Sequence, residues 1–123
     1  MRYALVAALL LATLTAVLAG DVVVKVTVDG KAQDYNPPAR MRGGTVYVPL
    51  RQGAQSLGLS VKWHAASKVA QVCRANGCAL IKQSEGIMVS GSLFLPLRKM
   101  ADITGAKVNW DAAAKTVKIQ RAL

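Results

Sequence analysis

The chain has 123 residues, 16 Lys plus Arg, 6 Asp plus Glu and one His, for a net charge of +10. It is too short for two sizeable domains, and at 53% hydrophobic it is too apolar for a disordered polymer. One His cannot supply a His-rich metal site, and the apolar excess lies at the N-terminus, where 16 of the first 19 residues are hydrophobic.

Arg2 gives that end a positive start, and Ala4 to Ala12 is unbroken apolar sequence that continues to Ala19 past Thr13 and Thr15. The run of 16 residues is shorter than the ~20 a helix needs to span a bilayer. Val17-Leu18-Ala19-Gly20 ends it with short side chains where a signal peptidase cuts. Residues 1–19 are read as a cleavable secretory signal and 20–123 as one domain, with an uncleaved anchor as the alternative. Asp21, rather than a Cys, stands near the cut, so no lipid anchor is expected. Removing Arg2 with the signal leaves 15 basic against 6 acidic residues, a net +9. The expected location is exported, either periplasmic or extracellular and wall-associated, with no membrane span after cleavage.

The first predicted strand follows. Val22, Val24, Val26 and Val28 alternate with Val23, Lys25, Thr27 and Asp29, the period of a half-buried strand. Asp29-Gly30 predicts a hairpin turn, with a return through Lys31 to Tyr35. Asn36-Pro37-Pro38 then breaks regular structure.

Beyond it the sequence repeats. Shifted by 47 residues, Gly44-Thr-Val-Tyr-Val-Pro-Leu-Arg51 falls on Gly91-Ser-Leu-Phe-Leu-Pro-Leu-Arg98 without a gap. From Gly44 to Arg74 there are 12 identities in 31 positions, well above the chance level. Two copies are too few for a solenoid and are expected to form two halves of one domain. In each copy a short strand, Val46–Val48 or Leu93–Leu95, ends at a proline that lacks an amide donor. A brief helix follows and stops at Gly58 or Gly105, where a left-handed residue is wanted. A second strand runs to Trp63 or Trp110, and a third covers Lys68–Cys73 or Lys115–Gln120. Ala79–Lys82 precedes the second copy as a further strand. The predicted fold is α+β: antiparallel hairpins with two short helices, built from an internal duplication.

Cys73 and Cys78 flank Arg74-Ala75-Asn76-Gly77, and Asn76-Gly77 is a turn signal. A hairpin there brings the two Cβ atoms together, and an oxidising compartment keeps the bridge closed. The alternative is a metal or redox pair. Four intervening residues match neither the usual redox spacing nor, without further ligands, a zinc site.

The strand Val24-Lys-Val-Thr-Val-Asp-Gly-Lys31, the Pro-Pro pair, Gly-Gly-Thr-Val-Tyr-Val-Pro-Leu-Arg, Leu-Gly and Val-Lys-Trp together resemble the copper amine oxidase N-terminal-like domain, also called the stalk domain. The resemblance covers nearly all of the chain after the signal. It implies a non-catalytic α+β unit of the kind common in exported bacterial proteins and often joined to cell-wall enzymes. It implies no copper site, and no second domain is expected in this chain.

Several single residues have a plain structural reading beside a functional one. His64 follows Trp63 where the second copy has Asp111, and both suit a turn. A catalytic His would need an orienting partner, and none is evident. Met41, Met88, Met100, His64 and the cysteines show no copper-ligand spacing, so neither metal nor cofactor is expected. Trp63 and Trp110 share a strand face with Val61 and Val108, which predicts core packing over an exposed sugar-stacking role. Tyr47 and Phe94 oppose valine and leucine neighbours, so their strands are expected to be covered on both faces. Arg51 and Arg98 open the two helices, where the dipole mildly disfavours a cation. Bonding to carbonyls of the other half is the structural reading, and a pair of anion-binding forks the functional one.

The remaining chemical signal is the basic excess, which attracts polyanions without reading their sequence. Arg40, Arg42, Arg51 and Arg98 are the candidate polyanion-binding residues, with Arg40 and Arg42 expected in an exposed Pro-rich and Gly-rich loop. No nucleic-acid motif occurs. No catalytic constellation stands out. The sequence therefore predicts a non-enzymatic envelope module whose partner is an anionic envelope polymer or an envelope protein. A partner or inhibitor of an envelope enzyme, working through a sheet edge, and a small wall hydrolase are the other readings.

Overall fold

The computed structural model describes residues 21–121. The predicted signal over 1–19 and its cut before Gly20 lie outside the described residues.

Among the described residues, fifteen elements follow in chain order. The strands are β1 (Val22–Val23), β2 (Lys25–Val28), β3 (Lys31–Ala32), β4 (Arg40–Arg42) and β5 (Thr45–Pro49). Helix α1 (Leu50–Ser56) comes next, then β6 (Ser60–His64), β7 (Val69–Arg74), β8 (Gly77–Lys82) and a 3-10 turn at Gln83–Glu85. The second half runs β9 (Ile87–Val89), β10 (Ser92–Pro96), α2 (Leu97–Thr104), β11 (Lys107–Asp111) and β12 (Thr116–Gln120). This is the predicted α+β duplication: β4 to β7, with α1 between them, recur as β9 to β12 with α2.

The same backbone devices recur at the same repeat positions. Gly43-Gly44 and Ser90-Gly91 take positive φ in the β4–β5 and β9–β10 turns. Lys68 and Lys115 do so before β7 and β12. Gly105 caps α2 in the left-handed conformation and Gly58 has φ 75° just past α1, as the helix-stop reading requires.

The two halves meet in the middle of one sheet. Its order is β1-β4-β5-β10-β9, and β5 and β10 are antiparallel, with Leu95 opposite Val48. Two smaller sheets flank it, β6-β7-β8 and β11-β12-β2-β3. The buried core joins Val48, Leu95, Leu97 and Met100 to Val26, Val28, Val72, Ile81, Val117 and Ile119. Each helix contributes one short apolar face, Leu50, Gly53 and Ala54 in α1 and Leu97, Met100 and Ala101 in α2. Helices this short depend on docking to the sheets.

The structure corrects three local expectations. Residues 22–29 are not one strand: β1 pairs with β4, whereas β2 pairs with β3 and β12. The change of sheet falls at Val24, which is buried while its amide donates to Ala39 O at 3.0 Å. The return after Asp29-Gly30 pairs only over Lys31–Ala32, because Tyr35 leaves the sheet to cover α1 and bonds Ser56 Oγ at 2.6 Å. Burial raises the Tyr35 pKa. The cysteine hairpin turns on Ala75-Asn76 rather than Asn76-Gly77, since Arg74 already faces Gly77 across the ladder. One pairing has no counterpart among the predicted hairpins: β2 and β12 are parallel, with Val26 opposite Val117.

Candidate functional site

A cleft of about 450 Å³ opens where the first half meets the second. Its elements are the start of α1, the end of β6, the 3-10 turn and the β9–β10 hairpin. Leu50 is buried at the start of α1, so Arg51, the next residue, points outward and lines the cleft. Trp63 packs on the core and also lines this space. Alternation on β6 puts it on the face of Val61, as the sequence predicts, and its half-buried position gives it both surroundings. Met88, which is 53% exposed, and Leu93 supply further apolar wall. A second depression, also about 450 Å³, shares Gln83 and Met88 with the first and is lined by Lys68 and Lys82. The Gln83 amide donates to Lys68 O at 2.9 Å, which ties the β6–β7 turn to this wall. On the other side, Gln52 exchanges two hydrogen bonds with the Asn36 backbone, at 2.8 and 2.7 Å, and fixes the loop against α1.

The candidate arginines fall into two groups. Arg40 and Arg42 lie on β4, not in a free loop, and both face Asp21. Arg42 donates to the two Asp21 carboxylate oxygens at 2.6 and 2.8 Å, and Arg40 Nη1 lies 3.6 Å from Oδ2. The hydrogen bond from Arg42 holds the Asp21 carboxyl below its ordinary pKa, and Asp21 in turn raises that of Arg42. The Arg40 guanidinium also stands over the Phe94 ring, 5.0 Å from its centre, a cation–π arrangement. Arg51 and Arg98 are exposed, and neither bonds a carbonyl of the other half among the described residues. The structural reading of that pair is corrected: each sits one residue past a buried leucine, on the outer side of its helix.

The other singled-out residues have plain roles. His64 Nε2 bonds Gln71 Oε1 across β6–β7 at 2.8 Å, while Asp111 accepts from the Ala114 amide at 3.1 Å in the matching turn. Cys73 and Cys78 are directly opposed on β7 and β8 and form a disulfide. With His64 engaged and both sulfurs bonded to each other, these residues do not suit copper. Among the described residues no group of three His, Cys, Asp or Glu could hold a metal. Trp110 departs from the core expectation at 43% exposed. It lies on an edge strand, and Val108, not Trp110, reaches the core. Among the described residues no helix is long and apolar enough to cross a membrane.

The described residues form a duplicated, mostly antiparallel fold with two short helices. The family model for the copper amine oxidase N-terminal domain matches twice, over residues 27–82 and 74–122. The chain belongs to that family, a non-catalytic accessory module often found in secreted or cell-envelope proteins. The family and the disulfide both point to a place outside the cytoplasm. No curated protein and no solved structure matches the chain.

Proposed function

We propose that the chain is an exported, non-catalytic envelope module that holds an anionic polymer of the cell wall or surface by charge. One observation carries this reading. Five ion pairs engage Asp21, Glu85, Asp111 and Asp29, four of the six acidic residues. They leave Lys25, Lys31, Arg51, Lys62, Lys68, Arg74, Lys82, Arg98, Lys107 and Lys115 exposed and without a carboxylate partner among the described residues. Such a surface collects polyanions without selecting their sequence.

Retention of the protein on purified envelope polymer tests the reading. Counterion release makes affinity fall steeply with salt. Arg51→Gln with Arg98→Gln should weaken retention more than Arg40→Gln with Arg42→Gln, because Asp21 already neutralises part of the second pair. Retention that survives molar salt contradicts the charge-based reading, and release of soluble fragments from the polymer would make the protein an enzyme.

A further inference from the structure

We infer that the Trp63 cleft is a saccharide site, and that the sugar it takes is acidic. The inference rests on the polymer-binding reading and names the unit of polymer that is held. The cleft falls within the volume range of small-molecule sites. Its lining is mixed in the way a sugar requires. The Trp63 ring offers a broad apolar face for the C–H side of a pyranose, and its π-face suits a weakly polarised partner. Gln83 and Ser92 line the same space, and neither side chain bonds another group among the described residues. They are free to meet ring hydroxyls as donors and acceptors.

Charge decides which sugar. Arg51 in the cleft lining and Lys68 and Lys82 in the adjoining depression bring three cations, and among the described residues no carboxylate lines either space. The nearest acidic candidate in sequence, Glu85, is already engaged: Oε2 accepts from the Lys82 amide at 2.8 Å and Oε1 takes the Lys99 ammonium. A guanidinium in the cleft lining suits a planar carboxylate, which it can meet through two parallel hydrogen bonds. Lys68 and Lys82 then meet the acid of a neighbouring unit as point charges. Arg51, Trp63 and the two lysines thus offer places for a carboxylate, a sugar face and a second anion, the groups that a polyuronate-type chain carries.

The test follows Trp63 emission in the full protein carrying Trp110→Phe, since Trp110 is exposed and outside the cleft. The probes are a uronic-acid oligosaccharide, the same oligosaccharide with its carboxyls reduced, and polyphosphate. The acidic oligosaccharide should shift the emission saturably. The reduced one should bind at least about tenfold more weakly, and Arg51→Gln should narrow that difference. Trp63→Leu, followed by calorimetry, should lose the oligosaccharide while keeping polyphosphate. Equal binding of the acidic and reduced sugars overturns the choice of an acidic unit. An equal emission shift with polyphosphate, or no response to either sugar, overturns the saccharide site. In the last case, continued salt-sensitive retention on envelope polymer leaves the charge-based reading standing, and loss of both removes both.

Discussion

Gly53 and Met100 hold the same position in the two repeats, and they meet across the join between them. A Cβ built on Gly53 would stand 3.1 Å from Met100 Cε and 2.6 Å from Val48 Cγ2. Lying at the join, these two positions share one volume. Two methionines would overfill it, and two glycines would leave a void. One large and one absent side chain fill it, and Met100 is fully buried as a result.

Gly53→Ala should therefore destabilise the fold, although alanine favours a helix interior by about 1 kcal/mol. Overpacking of this kind costs about 1–3 kcal/mol. Met100→Ala should cost about 2–5 kcal/mol by opening a cavity. Because the two sites share that volume, the double variant should lose less than the sum of the single losses, by about 0.5 kcal/mol or more in chemical denaturation. Strict additivity would show that the two positions do not touch.

Asp29 and Arg121 predict acid sensitivity. The Arg121 side chain donates to Oδ2 at 2.7 Å and its backbone amide to Oδ1 at 2.9 Å, which holds the Asp29 carboxyl below its ordinary pKa, the side-chain bond first. A carboxyl lowered in the folded state adds stability above its unfolded value, about 3.9. That stability is lost as pH falls from there through the folded value. The melting temperature should drop below about pH 4, and Asp29→Asn should show a shallower drop and a lower plateau at neutral pH. Identical pH profiles would exclude a role for the pair.

The Cys73–Cys78 bridge closes a short loop, so its reduction should cost about 2 kcal/mol in the chain-entropy model and leave the fold intact. Protein from an oxidising compartment should show no free thiol until a reductant is added. A melting curve unchanged by reduction would contradict this.

The two tryptophans should separate under a collisional quencher. Trp63→Phe leaves only the exposed Trp110 and should quench steeply, whereas Trp110→Phe leaves the half-buried Trp63 and should quench weakly. Equal slopes would contradict the placement of both rings.

The legible parts of the fold are those written in local sequence. Asp29-Gly30 marks a turn that needs positive φ, and that turn forms where the sequence puts it. Alternation along Val24, Val26 and Val28 finds the buried face of β2. What escapes is set by partners far along the chain. Nothing near residues 25–28 announces that a strand from the other end will lie parallel to them. The same holds for the tryptophans: Trp63 and Trp110 have matching neighbours, and only sheet position separates a cleft wall from an exposed edge. The cleft itself draws Arg51, Trp63, Gln83 and Met88 from four elements, with no shared motif to join them. Arg40 and Arg42 read as loop cations because Asp21, the partner that pairs them, lies 21 residues from Arg42.

The parallel seam of β2 and β12 also sets the longest-range strand closure among the described residues. Ser60 pairs with Cys73, 13 residues on, so the sheet of β6, β7 and β8 draws only on near neighbours. The seam waits for residues that are 92 apart at the Asp29–Arg121 contact. Closing a long loop is slower and costs more chain entropy than closing a short one. A chain emerging N-terminus first can complete β6–β8 early, while β2 and β3 stay without their neighbour until the last strand arrives. Through that interval the buried edge of β2, Val26 and Val28 included, is open to strands of other chains.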